Sequence, residues 1–260
     1  MKPDFSEFSY GYAVTEEFLS THKAAVVAAP IFPTLYAEGK AGGGYDVKIP
    51  LIGKPVFLQF KLSDQLKRSN SKEYQNGMLG LPYYRMHIRP GKHSDQHSLL
   101  LDLEGSGESV FYIAPEFHLP AELNAYYLGG SIISNSAAFS PKAIGPMPDD
   151  DEHYIVFERG NSIGYRCSDN LQEVPKISLA EGLQPILAKG TKSRDLGENG
   201  LRIILDHMLS ALEKGEQRLH TKRKSIDIPG LRRIVDAREP VESLGYLART
   251  FFDAALIVLK

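Results

Sequence analysis

Cysteine is nearly absent from this 260-residue chain: Cys167 is the only one, and there is no tryptophan. A single thiol cannot form an internal disulfide or supply a multi-cysteine zinc or iron–sulfur site. Its surroundings make Cys167 a small strand residue rather than a nucleophile. Long apolar runs are missing too. The longest fall far short of the roughly 20 residues that cross a bilayer, and no basic leader with an apolar stretch opens the chain. A cytoplasmic protein with no membrane partner is the expectation. An excess of charge is also lacking: 30 Lys and Arg against 32 Asp and Glu leave a net charge of −2. Any nucleic-acid binding must therefore rest on a local basic face. Repeats, coiled-coil heptads and low-complexity tracts are not detectable. What is present, 42% hydrophobic and 24% charged residues, suits a folded protein long enough to bury a core, as one large domain or two small ones.

Chemistry concentrates in Glu38 to Asp64. Tyr45–Leu51 and Pro55–Leu62 are rich in β-branched, aromatic and aliphatic residues, with turn residues Ile52-Gly53-Lys54-Pro55 between them, so the stretch predicts a β-hairpin. With Gly53-Lys54 as its loop, Asp46 stands opposite Lys61, and period-two alternation puts Gln59 on the same face. Phe57, Leu58, Phe60 and Leu62 surround that patch with apolar bulk. An acid, an amide oxygen and an ammonium together suit phosphodiester hydrolysis. Mg²⁺ or Mn²⁺ takes hard oxygen ligands, here Asp46 and Gln59, and Lys61 stabilises developing charge or orients water. A buried Asp–Lys cross-strand pair with no catalytic task is the plain alternative.

Asp46 followed by Gln59-Phe60-Lys61, with the lead Gly42-Gly43-Gly44-Tyr45, resembles the PD-(D/E)xK nuclease superfamily, in particular the Gln-x-Lys form of the Mrr-like restriction endonuclease branch. The resemblance covers roughly residues 12 to 115. It departs from the pattern in having no proline before Asp46 and Gln59 in place of an acid, which removes a charge from the metal site. The resemblance implies a mixed central β-sheet flanked by helices, a DNA endonuclease activity in restriction or anti-phage defence, and a homo-oligomer or a defence-system partner protein. It also implies a glutamate from the first helix at the metal: Glu17, or Glu16. Glu38, on the strand before Asp46, is a further candidate ligand. The plain reading of Glu16 and Glu17 is that they complement the dipole of a helix spanning Thr15 to Ala28, with Thr15 as N-cap.

Further along, residues 1 to 11 show no period and are expected to pack as an arm. Asp64 to Lys72 is polar and basic, so Lys67 and Arg68 are candidate phosphate contacts, or simply solvated. Tyr83 to Arg89 alternates as a strand with Arg85, His87 and Arg89 on one face. A helix over 94–104 buries Leu99, Leu100 and Leu103 and carries Gln96 and His97 as candidate substrate contacts. Strand 109–114, helix 120–128, a loop over 141–151 and a hairpin around Gly160-Asn161 follow. From residue 176 the character turns helical, with helices over 179–189, 200–214 and 243–260. This suggests a nuclease-like α/β domain over 1–175 and a helical region over 176–260. Two other readings stay open: a catalytically inactive nuclease-fold subunit that binds DNA, RNA or a protein, and a small-molecule enzyme that uses its histidines.

Overall fold

A computed structural model describes residues 1–22, 54–92, 96–167, 171–179, 182, 198–218, 226–252 and 255–259. Among these the chain is mixed α/β, with eight helices and nine strands. It divides into two compact units that interleave along the chain. The first takes residues 1–22, 60–94 and 111–189; the second takes 23–59, 95–110 and 190–260. The sequence suggested one cut at residue 175 instead. Interleaving follows because strands near residues 60 and 110 carry the chain from one unit into the other.

In the first unit, helix α1 (Glu7–Thr21) replaces the expected arm and starts well before Thr15. Ser6 is its N-cap, accepting from Ser9 N–H at 3.0 Å. Thr15 lies mid-helix and donates back to Gly11 O at 2.7 Å. Tyr10, from the stretch that looked aperiodic, has helical spacing with Val14 and Phe18, and the three form one fully buried face. Glu16 and Glu17 consequently sit in the second half of α1, so the expected dipole role at its first turn does not hold.

The same unit holds a five-stranded antiparallel sheet. Its strands are β2 (Ser63–Leu66), β3 (Tyr83–Ile88), β6 (His153–Phe157), β7 (Ile163–Cys167) and β8 (Gln172–Pro175), adjacent in that order. β3 alternates as expected, with Tyr84, Met86 and Ile88 buried and Arg85 and His87 half-buried. β2 was expected as part of a basic loop. Its inward residues are polar, Ser63 and Gln65: Ser63 Oγ donates to Pro115 O, and Gln65 Nε2 donates to Tyr84 Oη at 3.0 Å, while Gln65 Oε1 is buried without a hydrogen bond. One face of the sheet packs Phe157 against Phe139, ring centroids 5.3 Å apart. On the other face Tyr83 and Val156 form a smaller core with Leu79, Met78, Leu81, Tyr165 and Cys167. β4 (Ser109–Pro115) pairs antiparallel with β5 (Ser136–Phe139) from Tyr112↔Phe139 to Pro115↔Ser136. Two short helices, α2 (Lys72–Gln75) and α5 (Pro141–Ile144), and the nine-residue α4 (Pro120–Leu128) fill the connections.

The second unit is built on helices α3 (Gln96–Gly105), α6 (Glu198–Arg218), α7 (Ile228–Asp236) and α8 (Pro240–Phe251). Leu99, Leu100 and Leu103 of α3 are buried as expected, together with Leu201, Ile204, Leu205, Met208 and Leu212 of α6. A Cβ at Gly215 would lie 3.1 Å from Leu99 Cδ2, so the absence of a side chain there lets α3 and α6 approach. Ser243 Oγ donates to Val235 O at 2.8 Å and ties α8 to α7. The expected C-terminal helix over 243–260 stops at Phe251. Residues Ala255–Leu259 form strand β9 instead, antiparallel to β1 (Lys54–Phe60) with Val56 opposite Ile257. A five-residue apolar run does not distinguish strand from buried helix by periodicity, and pairing with β1 decides it. Among the described residues no helix is long and apolar enough to cross a membrane.

Candidate functional site

Both faces of β1 are apolar, with Val56, Phe57 and Leu58 fully buried, and Gln59 follows them at 2% exposure. An amide placed there must find a partner, since leaving a buried polar group unmade costs about 1–3 kcal/mol. Gln96 supplies one. It is the first residue of α3, 5% exposed, and its Nε2 donates to Gln59 Oε1 at 3.0 Å. The packing of Leu99, Leu100 and Leu103 fixes α3 and so fixes where Gln96 sits. His97, next along, is buried as well. Gln96 and His97 were expected as substrate contacts; Gln96 instead has its amide engaged inside the second unit.

Two residues beyond Gln59 the chain is in the first unit, and Lys61 there is 6% exposed. Its backbone N–H donates to Ile113 O at 2.9 Å, which anchors the residue beside β4. Burying an ammonium is costly unless charge or hydrogen bonds offset it. The charge of Lys61 is felt at His87. Burial pushes that imidazole below its ordinary value, with Lys61 and Arg89 adding to the effect and Glu152 and Asp64 opposing it.

Asp46 and Glu38 lie outside the described residues, as does the first half of the expected hairpin. Glu17 is committed to the backbone: Oε2 accepts from Ile132 N–H at 2.5 Å and Oε1 from Ile133 N–H at 3.3 Å. It caps the 3₁₀ turn Ile133–Asn135 from the far end of α1. Glu16 accepts from Ser20 Oγ at 2.8 Å. Lys67, Arg68 and Arg89 are exposed and open to an anion. Arg85 is committed elsewhere, ion-paired to Glu73 at 2.7 Å with its guanidinium 5.0 Å from the centre of the Tyr154 ring. Burial pushes the Glu73 carboxyl up, but a backbone hydrogen bond, Arg85 and Tyr83 outweigh it and hold it below the ordinary carboxylate value. Burial pushes the Cys167 thiol up to about 12, as befits an inert strand residue.

No protein-family model, curated protein or solved structure matches this chain. Its chemistry has to be read from its own side chains. Among the described residues no group of three or more His, Cys, Asp or Glu is placed to hold a metal ion; of the expected oxygen set, Gln59 and Glu17 are described, and both oxygens of Glu17 accept backbone N–H groups. Sequence reasoning named Gln59 and Gln96 separately and missed their bond, which joins residues 37 apart. It also missed two buried polar features of the first unit. Lys176 is ion-paired to Glu116 and donates to Glu158 O at 2.8 Å. His118 is buried 3.5 Å from Glu122 Oε2, with burial pushing its imidazole below the ordinary value against the pull of Glu122. Neither carried a signal, because the partners are distant in sequence or fall in a segment without a motif.

Proposed function

We propose that this chain is a Mg²⁺- or Mn²⁺-dependent phosphodiesterase that cuts DNA, with Asp46, Gln59 and Lys61 as its working residues. The observation that carries the reading is the buried Gln59 oxygen, held by Gln96, two residues from a buried lysine on a chain segment otherwise lined with apolar groups.

The donor set fits a hard cation: a carboxylate oxygen from Asp46 and an amide oxygen from Gln59, with Glu38 as a third ligand. Glu17 is the weaker choice because both of its oxygens already accept backbone N–H groups. When bound, the ion supplies Lewis-acid polarisation of the phosphate and a more acidic water. Lys61 donates to a non-bridging phosphate oxygen or to the attacking water, and its burial excludes competing solvent. Lys67, Arg68 and Arg89 contact backbone phosphates, as exposed cations on the first unit. The reading extends to a restriction-endonuclease-like core, a cytoplasmic role in defence against foreign DNA, and a homo-oligomer or partner protein that supplies target choice.

A second reading is a nuclease-fold subunit that binds DNA, RNA or a protein without cutting. It is favoured by the neutral Gln59 and by the net charge of −2. Plasmid, linear and single-stranded DNA and RNA, incubated with wild type, Asp46→Ala and Lys61→Ala in Mg²⁺, Mn²⁺ or chelator, separate the two. The proposal expects cleavage that chelator abolishes and that each substitution lowers by about 10²-fold or more. Cleavage that survives both Asp46→Ala and chelation would refute it. Binding without cleavage would establish the second reading.

A further inference from the structure

Ahead of α1 the chain crosses the surface of the first unit as a short strap. Gln65 N–H donates to Met1 O at 2.8 Å on the outer edge of β2, Asp4 N–H donates to His118 O at 3.0 Å, and the Phe5 and Phe117 rings lie 5.5 Å apart. His118, to which the strap is bonded, is 3% exposed, and neither of its ring nitrogens makes a hydrogen bond. An imidazole buried in that way is tolerated while neutral, because an unpartnered charge away from water costs far more than an unpartnered dipole. We propose that residues 1–5 are a pH-sensitive strap: uptake of a proton by His118 releases them and bares the outer edge of β2. This inference does not depend on the metal-site reading.

The charges around the ring decide which way it responds. Glu122, from α4, favours a proton, with Oε2 3.5 Å from Nδ1. That oxygen already accepts the His118 and Leu119 N–H groups, at 3.1 and 2.9 Å, where it closes the first turn of α4. Lys67 and the Met1 amino group act against a proton, and burial, the largest effect, holds the imidazole below its ordinary value. With the strap in place the ring therefore binds a proton less readily than it does in water, where its value is near 6.5. The closed strap is favoured above that pH and loosens as pH falls below it. It gives way before the fold does because it is held at the rim of the unit by a few backbone hydrogen bonds. Release leaves backbone groups of the edge strand β2 open beside the exposed Lys67 and Arg68.

Amide hydrogen exchange of the full chain, corrected for the intrinsic effect of pH on exchange, reads the opening at Gln65 and Asp4. From about pH 7.5 to about pH 5.5 the opening constant at both should rise by about three- to tenfold, the range open to a single proton. Amides of β6, in the middle of the sheet, should keep their protection. The His118 ring resonances should titrate below 6.5, its ordinary value. His118→Phe, which keeps a ring of similar size and takes no proton, should abolish the rise. A rise of the same size in His118→Phe, no rise in wild type, a rise shared by β6, or a ring that titrates at or above 6.5 overturns the proposal. Should His118→Phe fail to fold, wild type decides alone: opening that follows the titration of the ring supports the strap, and opening independent of it overturns it.

Discussion

Replacing Glu17 by alanine tests whether this carboxylate is a structural cap or a metal ligand. Glu17 holds Ile132 N–H at 2.5 Å and Ile133 N–H at 3.3 Å, and Ile132 is fully buried. A hydrogen bond to a charged group contributes about 1.5–3 kcal/mol, and a longer one less. Truncation therefore costs about 2–4 kcal/mol, with one N–H left unsatisfied away from water. At about 2–4 °C per kcal/mol for a chain of this size, the melting temperature should fall by about 5–15 °C. Urea unfolding followed by circular dichroism and tyrosine fluorescence suits a protein with 13 tyrosines and no tryptophan. Glu17→Gln keeps one acceptor for the shorter bond and should lose about 1 kcal/mol. Mn²⁺ affinity should be unchanged in both variants. A stability loss below about 0.5 kcal/mol, or a tenfold loss of Mn²⁺ affinity with stability intact, would show that the capping argument is wrong.

Three further expectations follow from particular contacts. The Glu73 carboxyl is lowered in the folded chain, so the stability it adds is present above its unfolded value, near 4.5, and is lost as pH falls through the lower folded value. The advantage of wild type over Glu73→Gln in urea unfolding should therefore shrink on acidification below that value; an advantage that grows would contradict the assignment. At Gly164 an added Cβ would lie 3.0 Å from both Phe139 Cε1 and Val156 O, so Gly164→Val should destabilise by about 1–3 kcal/mol and a melting curve within error of wild type would disprove the close packing. Lys61→Met keeps length and apolar bulk while removing the charge. Cleavage should fall by about 10²-fold or more, and retention of most activity would remove Lys61 from the mechanism.

Features set by neighbouring residues were legible in the sequence. The alternation of Tyr83 to Ile88, Pro120 opening α4, and the β6–β7 hairpin around Gly160-Asn161 each depend on a few adjacent side chains. Thr15 reads locally as a cap, yet the burial of Tyr10, Val14 and Phe18 carries the helix back to a cap at Ser6, in the stretch expected to be an arm. Ala255–Leu259 was misread as helix because only pairing with β1, some 200 residues earlier, makes it a strand. The four-residue strands β5 and β8 are too short to show a period. For the site, strand alternation and the spacing from Asp46 selected Gln59 and Lys61, and both are buried. Their supporting contacts, Gln96 to Gln59 and Ile113 to Lys61, are long-range and carried no local pattern.

The most direct test of the metal site is a crystal soaked in Mn²⁺, examined for anomalous scattering. The account predicts one strong peak within coordination distance, about 2.0–2.6 Å, of both an Asp46 carboxylate oxygen and Gln59 Oε1. A crystal in which those side chains are ordered and the peak lies elsewhere, or no peak forms, would contradict it.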